Sequence, residues 1–416
     1  MGAFVITGGI PLCGEITIEG AKNAVLPILA AALAAGGKSV LRNCPRISDV
    51  ENALRILEHL GCCTSQKGSV IRLNTYSAGS REIPRCLMQK MRGAVIFLGA
   101  LLCRYGEAKI CQPGGCRLGS RPLDLHLMGL RRMGYDCRCR GDEIICREET
   151  LHGCTIALPF PSVGATENLI RAALRCPEEI ILCNAAKEPE IEDMIVFLQK
   201  CGADIRGKGT SVLRMRGGKA LHGAEHTVIP DRMEAATYLC AAAATRGNLH
   251  LKNVCPGHLE AVTAVLLRGG CRLKATEKDL TLFCRELSCA GPVRTAPYDG
   301  FPTDAQAPMM AALATARGVS VIEENIFSDR FRHVPALRDL GAKIRTAGKW
   351  AVVEGTRALR GTEMEATDLR GGAAMVIGAL AAEGRSRITE TAHMKRGYAG
   401  MVRKLRACGA QIEDTE

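Results

Sequence analysis

The chain has 416 residues, too many for one ordinary core, and its 47% hydrophobic and 4% aromatic content is that of a soluble globular protein of two or three domains. Its formal charge of +12 favours anionic partners such as nucleic acid, phosphates or nucleotide sugars, although Lys and Arg are spread without a basic block, as on any solvated surface. No apolar run reaches the roughly 18 residues of a membrane span, and 21 cysteines in a long chain without a secretion signal read as reduced thiols, so a cytoplasmic protein is expected.

Residues 1–20 alternate like a strand and lack the basic start of a secretion signal, and Ile6 stands where N-myristoylation needs Ser or Thr. Lys22 and Asn23 follow, just before the apolar run "AVLPILAAALAA" (24–35). A lysine at a helix N-terminus makes an anion site, while a solvated lysine beside a capping asparagine looks the same in sequence. "CLMQKMRGAVIFLGALLC" (86–103), which contains Arg92, reads as a helix apolar nearly all round. "QPGGCRLGSRP" (112–122) is unlike scaffold, because Cys116 lies among glycines with Arg117 and Arg121 nearby and no apolar neighbours. Such surroundings lower a thiol's pKa and keep it accessible, as a nucleophile or proton donor requires. Cys103, Cys183 and Cys240 instead sit in apolar runs, where cysteine is an inert small hydrophobe. Asp124 and His126 come next, and "CRCRGDEIIC" (137–146) offers three thiols without a second paired knuckle, so no metal site is expected.

"PSVGATENL" (161–169) turns into a helix, "TENLIRAALRC" (166–176), whose free N–H groups suit either phosphate or a plain cap. The acidic run "EPEIED" (188–193) reads as a favourable helix start. Further buried-type helices are "RMEAATYLCAAAATRG" (232–247), "DAQAPMMAALATARG" (304–318) and "DLRGGAAMVIGALAAEG" (368–384). Asp304 opens the second of these either as an N-cap or as a catalytic base. Arg92, Arg330, Arg370 and Arg396 stand at element ends, where arginine suits bidentate capture of phosphate or carboxylate or an ordinary surface ion pair.

One pattern recurs along the chain. Short amphipathic segments beginning at Leu54, His126, Met194, Ala261, His333 and Met401 are each stopped by a glycine and followed by strand material. The glycines are Gly61, Gly134, Gly202, Gly270, Gly341 and Gly409, about 70 residues apart, which is a module length. Six strand–helix–strand–helix–strand–strand units predict two α/β domains of three units each, with ligands in the cleft between them. The last unit ends after one strand of its hairpin, so the unattached N-terminal strand is expected to close it. The chain then crosses between domains near Gly20 and Pro230, giving a discontinuous catalytic domain of residues 1–20 plus 230–416 and a second domain, 21–229, that carries the Cys116 loop.

Taken in order, "GAKNA", "MRGAV", "PGGCRLGSRPLDLH", "PSVGATEN", "AAKEPEIED", "IPDRMEA", "FPTDAQAP", "DRF", "ATDLRGG" and "RGY" resemble the enolpyruvyl transferases of cell-wall synthesis, in the EPSP synthase family, along essentially the whole chain. The sister enzymes acting on shikimate 3-phosphate lack the Gly-Gly-Cys loop and the Arg-Pro-x-Asp-Leu run. The resemblance implies a two-domain inside-out α/β barrel of six βαβαββ-type units, three per domain. It implies transfer of the enolpyruvyl group of phosphoenolpyruvate to the 3′-hydroxyl of UDP-N-acetylglucosamine through a tetrahedral ketal, the first committed step of peptidoglycan precursor synthesis, with no cofactor, metal, nucleic acid or membrane. On it, Cys116 is the acid that protonates the methylene carbon, and Lys22, Arg121 and Arg396 hold the carboxylate and phosphate. Asp304 takes the sugar hydroxyl's proton, with Asn23 and Arg92 positioning substrate. Arg121, Pro122, Leu123, Asp124 and Leu125 line the uridine pocket, Ser162, Val163 and Gly164 face the diphosphate, Ile326 touches the sugar, and Arg330 and Arg370 are further site residues. Phe160 stands where some members carry a lysine, and Ser328-Asp329 where Glu-Asn is common. A cysteine in the loop also implies alkylation of Cys116 by the epoxide antibiotic fosfomycin. Two other readings remain on this sequence: the same transfer to a different acceptor, and a repeat-built clamp that binds nucleic acid.

Overall fold

The computed structural model describes residues 2–112 and 123–415. The chain divides into two compact units, one of residues 1–19 with 230–416 and the other of residues 20–229, leaving the segment 113–122 aside. Each unit holds three sheets among the described residues.

All six sheets are variations on one pattern. In the sheet of Pro292–Arg294, Val319–Glu323, Trp350–Glu354 and Lys343–Ala347, the first pair is parallel and the other two pairs are antiparallel. A helix connects the parallel pair, and a second helix leads into the hairpin. Five hairpins and, at the chain's end, the single strand Gln411–Thr415 follow the six predicted glycines, whose φ angles all lie between 90° and 97°. Only glycine takes up that backbone without strain, so helix, glycine and hairpin recur together.

Three strands complete their sheets from distant parts of the chain. Ala3–Thr7 lies between Arg385–Thr389 and Gln411–Thr415, antiparallel to both, in the place a hairpin's second strand holds elsewhere. Cys13–Thr17 pairs in parallel with Asn248–Lys252, and Glu225–Thr227 with Lys38–Arg42. The N-terminal segment read as one strand is therefore two, serving different sheets.

Within each unit three helices pack on one another and are buried. They are Lys22–Ala35, Phe97–Tyr105 and Val163–Ala173 in one unit, and Arg232–Ala244, Gln306–Leu313 and Leu369–Ala381 in the other. Alanine, leucine and methionine on every face suit them to this place. The more amphipathic helices, such as Ser48–His59 and Pro189–Lys200, keep a polar face. None of the described helices is long and apolar enough to cross a membrane.

Three expected helices differ in extent. The run 86–103 is broken into Arg85–Met88, a 3-10 turn Arg92–Ile96 and Phe97–Tyr105, because Met91 is extended (φ −143°, ψ 119°) ahead of the weak helix former Gly93. The helix expected from residue 166 starts at Val163, since the Ser162 hydroxyl accepts from the Ala165 N–H at 3.4 Å. The run 304–318 is a 3-10 turn, Thr303–Ala305, followed by a helix that ends at Leu313.

Gly409 (φ 90°) has open space where a Cβ would be, so Gly409→Ala tests the backbone term alone. It should cost about 1–2 kcal/mol and lower the melting temperature by several degrees in a thermal scan. An unchanged melting temperature would remove the conformational reason for the repeated glycine.

Candidate active site

A charged group on a helix buried all round has room only at its ends, and the first turns are where the candidate residues lie. Lys22 and Asn23 open Lys22–Ala35, and Arg92 opens the 3-10 turn before Phe97–Tyr105. Ser162, Val163 and Gly164 open Val163–Ala173, Asp304 lies in the turn before Gln306–Leu313, and Arg370 is the second residue of Leu369–Ala381. The remaining member of the series is Asp231-Arg232 at the head of Arg232–Ala244. It was not singled out from sequence, although the repeat period points to it.

Asp304 is the best-defined centre. Its Oδ1 accepts from Arg330 Nη2 at 2.8 Å, and its Oδ2 accepts from Arg370 Nε at 3.2 Å and Nη2 at 3.0 Å. Both arginines are buried, whereas the carboxylate keeps 30% of its side-chain surface exposed. Asp304 is therefore no N-cap, and Arg330 and Arg370 are not surface ion pairs. Arg370 Nη1 also donates to the Tyr398 hydroxyl at 2.9 Å. The Thr237 hydroxyl gives its proton to the Met233 carbonyl, so Tyr398, 2.8 Å from it, must be the donor of that pair. Burial opposes the charge of Arg370, but the oxygens of Tyr398 and Asp304 outweigh it and raise its pKa. Burial also keeps the Tyr398 hydroxyl above its ordinary value. Asp368 caps the same helix, accepting from the N–H groups of Arg370 and Gly371 at 2.9 and 3.0 Å, and thereby fixes the start from which Arg370 projects. Arg396, at the end of the short helix Ala392–Lys395, is half-buried, as is Ile326.

In the other unit, Lys22 Nζ lies 2.6 Å from Asp49, a buried carboxylate in the first turn of Ser48–His59. Lys22 is thus held in place, and Asp49 is a residue sequence reading passed over because a helix-start aspartate is commonplace. Asn23 is exposed and does not cap the helix, whose N-cap residue is Ala21 and which has no capping side chain. Ser162 caps Val163–Ala173.

Asn168, fully buried on that helix, ties several site segments together. Its Nδ2 donates to Val95 O at 2.9 Å and its Oδ1 accepts from Gly99 N at 2.8 Å. The same Nδ2 lies 2.9 Å from His126 Nδ1, so that nitrogen accepts and the ring proton sits on Nε2. Arg171 adds bonds to Asn168 Oδ1 and to the Ile96 carbonyl. The 3-10 turn of Arg92, the helix Asp124–Arg132 and the turn of Ser162–Gly164 are held by this one polar cluster. Leu123, Asp124 and Leu125 stand at the start of Asp124–Arg132. Cys116, Arg121 and Pro122 lie outside the described residues, as does the side chain of Arg92.

A cavity of about 570 Å³ in the same unit is lined by Ala34, Ala35, Arg104, Tyr105 and Arg175, at the C-terminal ends of the buried helices. It contains none of the candidate residues. Its arginines donate to the Thr75 and Cys103 carbonyls, which gives them a structural role.

Residues 6–405 match the family model described as EPSP synthase (3-phosphoshikimate 1-carboxyvinyltransferase). The chain belongs to the EPSP synthase family. Within that family it is 43% identical over 413 residues, 99% of each chain, to the protein of Caldanaerobacter subterraneus subsp. tengcongensis named UDP-N-acetylglucosamine 1-carboxyvinyltransferase 2. It is also 43% identical over 418 residues, 100% of this chain and 99% of the other, to the UDP-N-acetylglucosamine 1-carboxyvinyltransferase of Thermotoga maritima. Among solved structures, the enolpyruvyl transferase NikO of Streptomyces tendae superposes with a TM-score of 0.90 at 26% identity, covering 100% of this chain and 99% of that one. The EPSP synthase of Acinetobacter baumannii, at 18% identity and full coverage of both chains, superposes with a TM-score of 0.75 and shares the fold.

His126 supplies a test of the polar cluster. Burial, with the nearby Arg171 charge, lowers its pKa to about 4 against the pull of Asp124. The folded value lies below the unfolded one, so the unfolded chain takes up the proton first and stability is lost as pH falls from about 6.5 toward 4. Between pH 7 and 5 the stability of the native chain relative to His126→Asn should fall by roughly 2 kcal/mol, read from urea unfolding midpoints. A constant difference would mean that the ring is not held neutral.

Proposed function

We propose that this chain transfers the enolpyruvyl group of phosphoenolpyruvate to the 3′-hydroxyl of UDP-N-acetylglucosamine and releases phosphate. The observation that carries the reading is Asp304, a partly exposed carboxylate clamped by two buried guanidinium groups, in a chain 43% identical end to end to proteins bearing that activity as their name.

The chemistry assigns each residue a task. C2 of phosphoenolpyruvate becomes electrophilic only when C3 gains a proton, and Cys116 is the acid we assign to that step; its thiolate is also able to add to C2. Asp304 accepts the proton of the 3′-hydroxyl as the sugar oxygen bonds to C2, giving the ketal. C3 then loses a proton, the C2–O bond to phosphate breaks, and the double bond is restored. Charge migrates between two anionic groups throughout, and fixed cations stabilise such a change without reorganising. Lys22, Arg121 and Arg396 take that part. Arg330 and Arg370 hold the carboxylate of Asp304 in place with one side exposed. Asn23 and Arg92 position substrate, Arg121 to Leu125 receive the uridine, Ser162, Val163 and Gly164 the diphosphate, and Ile326 the sugar. On this reading the reaction is a cytoplasmic one, and fosfomycin alkylates Cys116.

Phosphate release from phosphoenolpyruvate should require UDP-N-acetylglucosamine, collapse in Cys116→Ser, and fall by about 10²–10⁴ in Asp304→Asn. The similarity to NikO keeps another acceptor in view. Release with a different nucleotide or sugar acceptor, and none with UDP-N-acetylglucosamine, would overturn the assigned substrate while leaving the reaction class intact.

A further inference from the structure

Glu324 follows the central strand Val319–Glu323 and is 3% exposed. In three other units the residue at this place is an asparagine with positive φ: Asn43 (58°), Asn184 (56°) and Asn253 (55°). Each donates its Nδ2 to the carbonyl just past the parallel neighbour strand, namely Val228 at 2.8 Å, Leu158 at 2.8 Å and Ile18 at 2.7 Å. The repeat thus has a standing device that closes the end of its sheet.

The unit that carries Asp304 departs from it. Glu324 is not among the residues of positive φ, and the closing bond, to Thr295 O at 3.2 Å, comes one residue later from Asn325. That shift leaves Glu324 free of the sheet-closing task and buries its carboxylate among donors. Oε1 accepts from the hydroxyls of Thr295 and Thr303, each at 3.0 Å, and from the N–H groups of Ile326 at 2.9 Å and Phe327 at 3.1 Å. Oε2 accepts from Thr303 at 3.0 Å.

These bonds form a closed circuit. Thr303 is the residue before Asp304, the Phe327 ring lies 5.6 Å from the Arg330 guanidinium, and Arg330 returns to Asp304 at 2.8 Å. We infer that Glu324 is a positioning residue for the reaction proposed above. It fixes the turn that presents Asp304 and the turn that presents Ile326 relative to each other, and it touches no substrate itself. A displacement of about 1 Å in a reacting group costs on the order of 10² in rate.

The inference rests on the proposed activity for its kinetic arm alone, and a second arm is independent of it. A glutamine in place of Glu324 would keep one carbonyl oxygen for the two N–H groups and offer its amide to Thr303, so Glu324→Gln should hold both turns, and Glu324→Ala should hold neither. Hydrogen–deuterium exchange at the Ile326 and Phe327 amides should accelerate at least about tenfold in Glu324→Ala and stay close to native in Glu324→Gln. In the kinetic arm, Glu324→Ala should lower kcat by about 10² and raise KM for the nucleotide sugar, with KM for phosphoenolpyruvate unchanged, and Glu324→Gln should recover to within about fivefold of native. A merely structural loss would reduce the folded fraction and leave both KM values alone. Should Glu324→Ala fail to fold, Thr303→Val removes one donor of the same circuit, and its effect should not add to that of Glu324→Gln. Unchanged amide exchange, loss of activity with both KM values native, or a Glu324→Gln variant as impaired as Glu324→Ala would overturn the inference. A native chain that releases no phosphate would instead refute the proposed activity, and the exchange arm would still decide the role of Glu324.

Discussion

A helix buried on every side has most room for charge at its ends, above all in its first turn, where N–H groups are unpaired and the chain enters from a loop. Six such turns recur in this fold, one per unit, each at the end of a strand that runs parallel to its neighbour or at the corresponding bridge. Lys22, Arg92, Ser162, Asp231, Asp304 and Arg370 all belong to them. The core tolerates the polar residues because the turns remain at the ends of its helices. In α/β sheets generally, the carboxyl ends of parallel strands are where ligands bind, for the same reason.

Burying charge is costly unless it is paired, and the pairing also determines orientation. Arg370 makes three bonds to two partners, and its backbone is fixed by the Asp368 cap. Lys22 is fixed in turn by Asp49. These side chains are placed before any substrate arrives, which removes much of the ordering cost from binding. The same economy explains why helper residues lie one step away on other elements of their own unit: Tyr398 and Thr237 behind Arg370, Glu324 behind Asp304, and Asn168 behind the turn of Arg92.

The sequence made the architecture readable because the glycine after each amphipathic helix is a backbone requirement. A φ near 95° admits few other residues, so the period survives where the side chains have diverged. The buried helices were legible from their composition, but their ends were not. The break at Met91 depends on tertiary packing, and the true start at Val163 on a single serine hydroxyl. Lys22 and Asp304 were visible as polar residues opening apolar helices, with an ordinary alternative open to each: a solvated side chain for Lys22 and an N-cap for Asp304. Choosing between those roles needed the position of Asp49 for one, and of Arg330 and Arg370 for the other, residues distant in sequence. Asp49, Asn168 and Glu324 were missed for that reason: each is commonplace locally and acquires its meaning only from partners brought by other elements.

The account's central claim is that C3 of phosphoenolpyruvate is protonated and deprotonated in the course of transfer, with the proton coming from the protein. Running the reaction in deuterium oxide and recording the proton spectrum of the product tests this directly. Because C3 passes through a methyl group, the account predicts deuterium in the vinyl methylene of the enolpyruvyl product. A product with both methylene hydrogens retained from phosphoenolpyruvate would contradict it, and the acid role of Cys116 would fall with it.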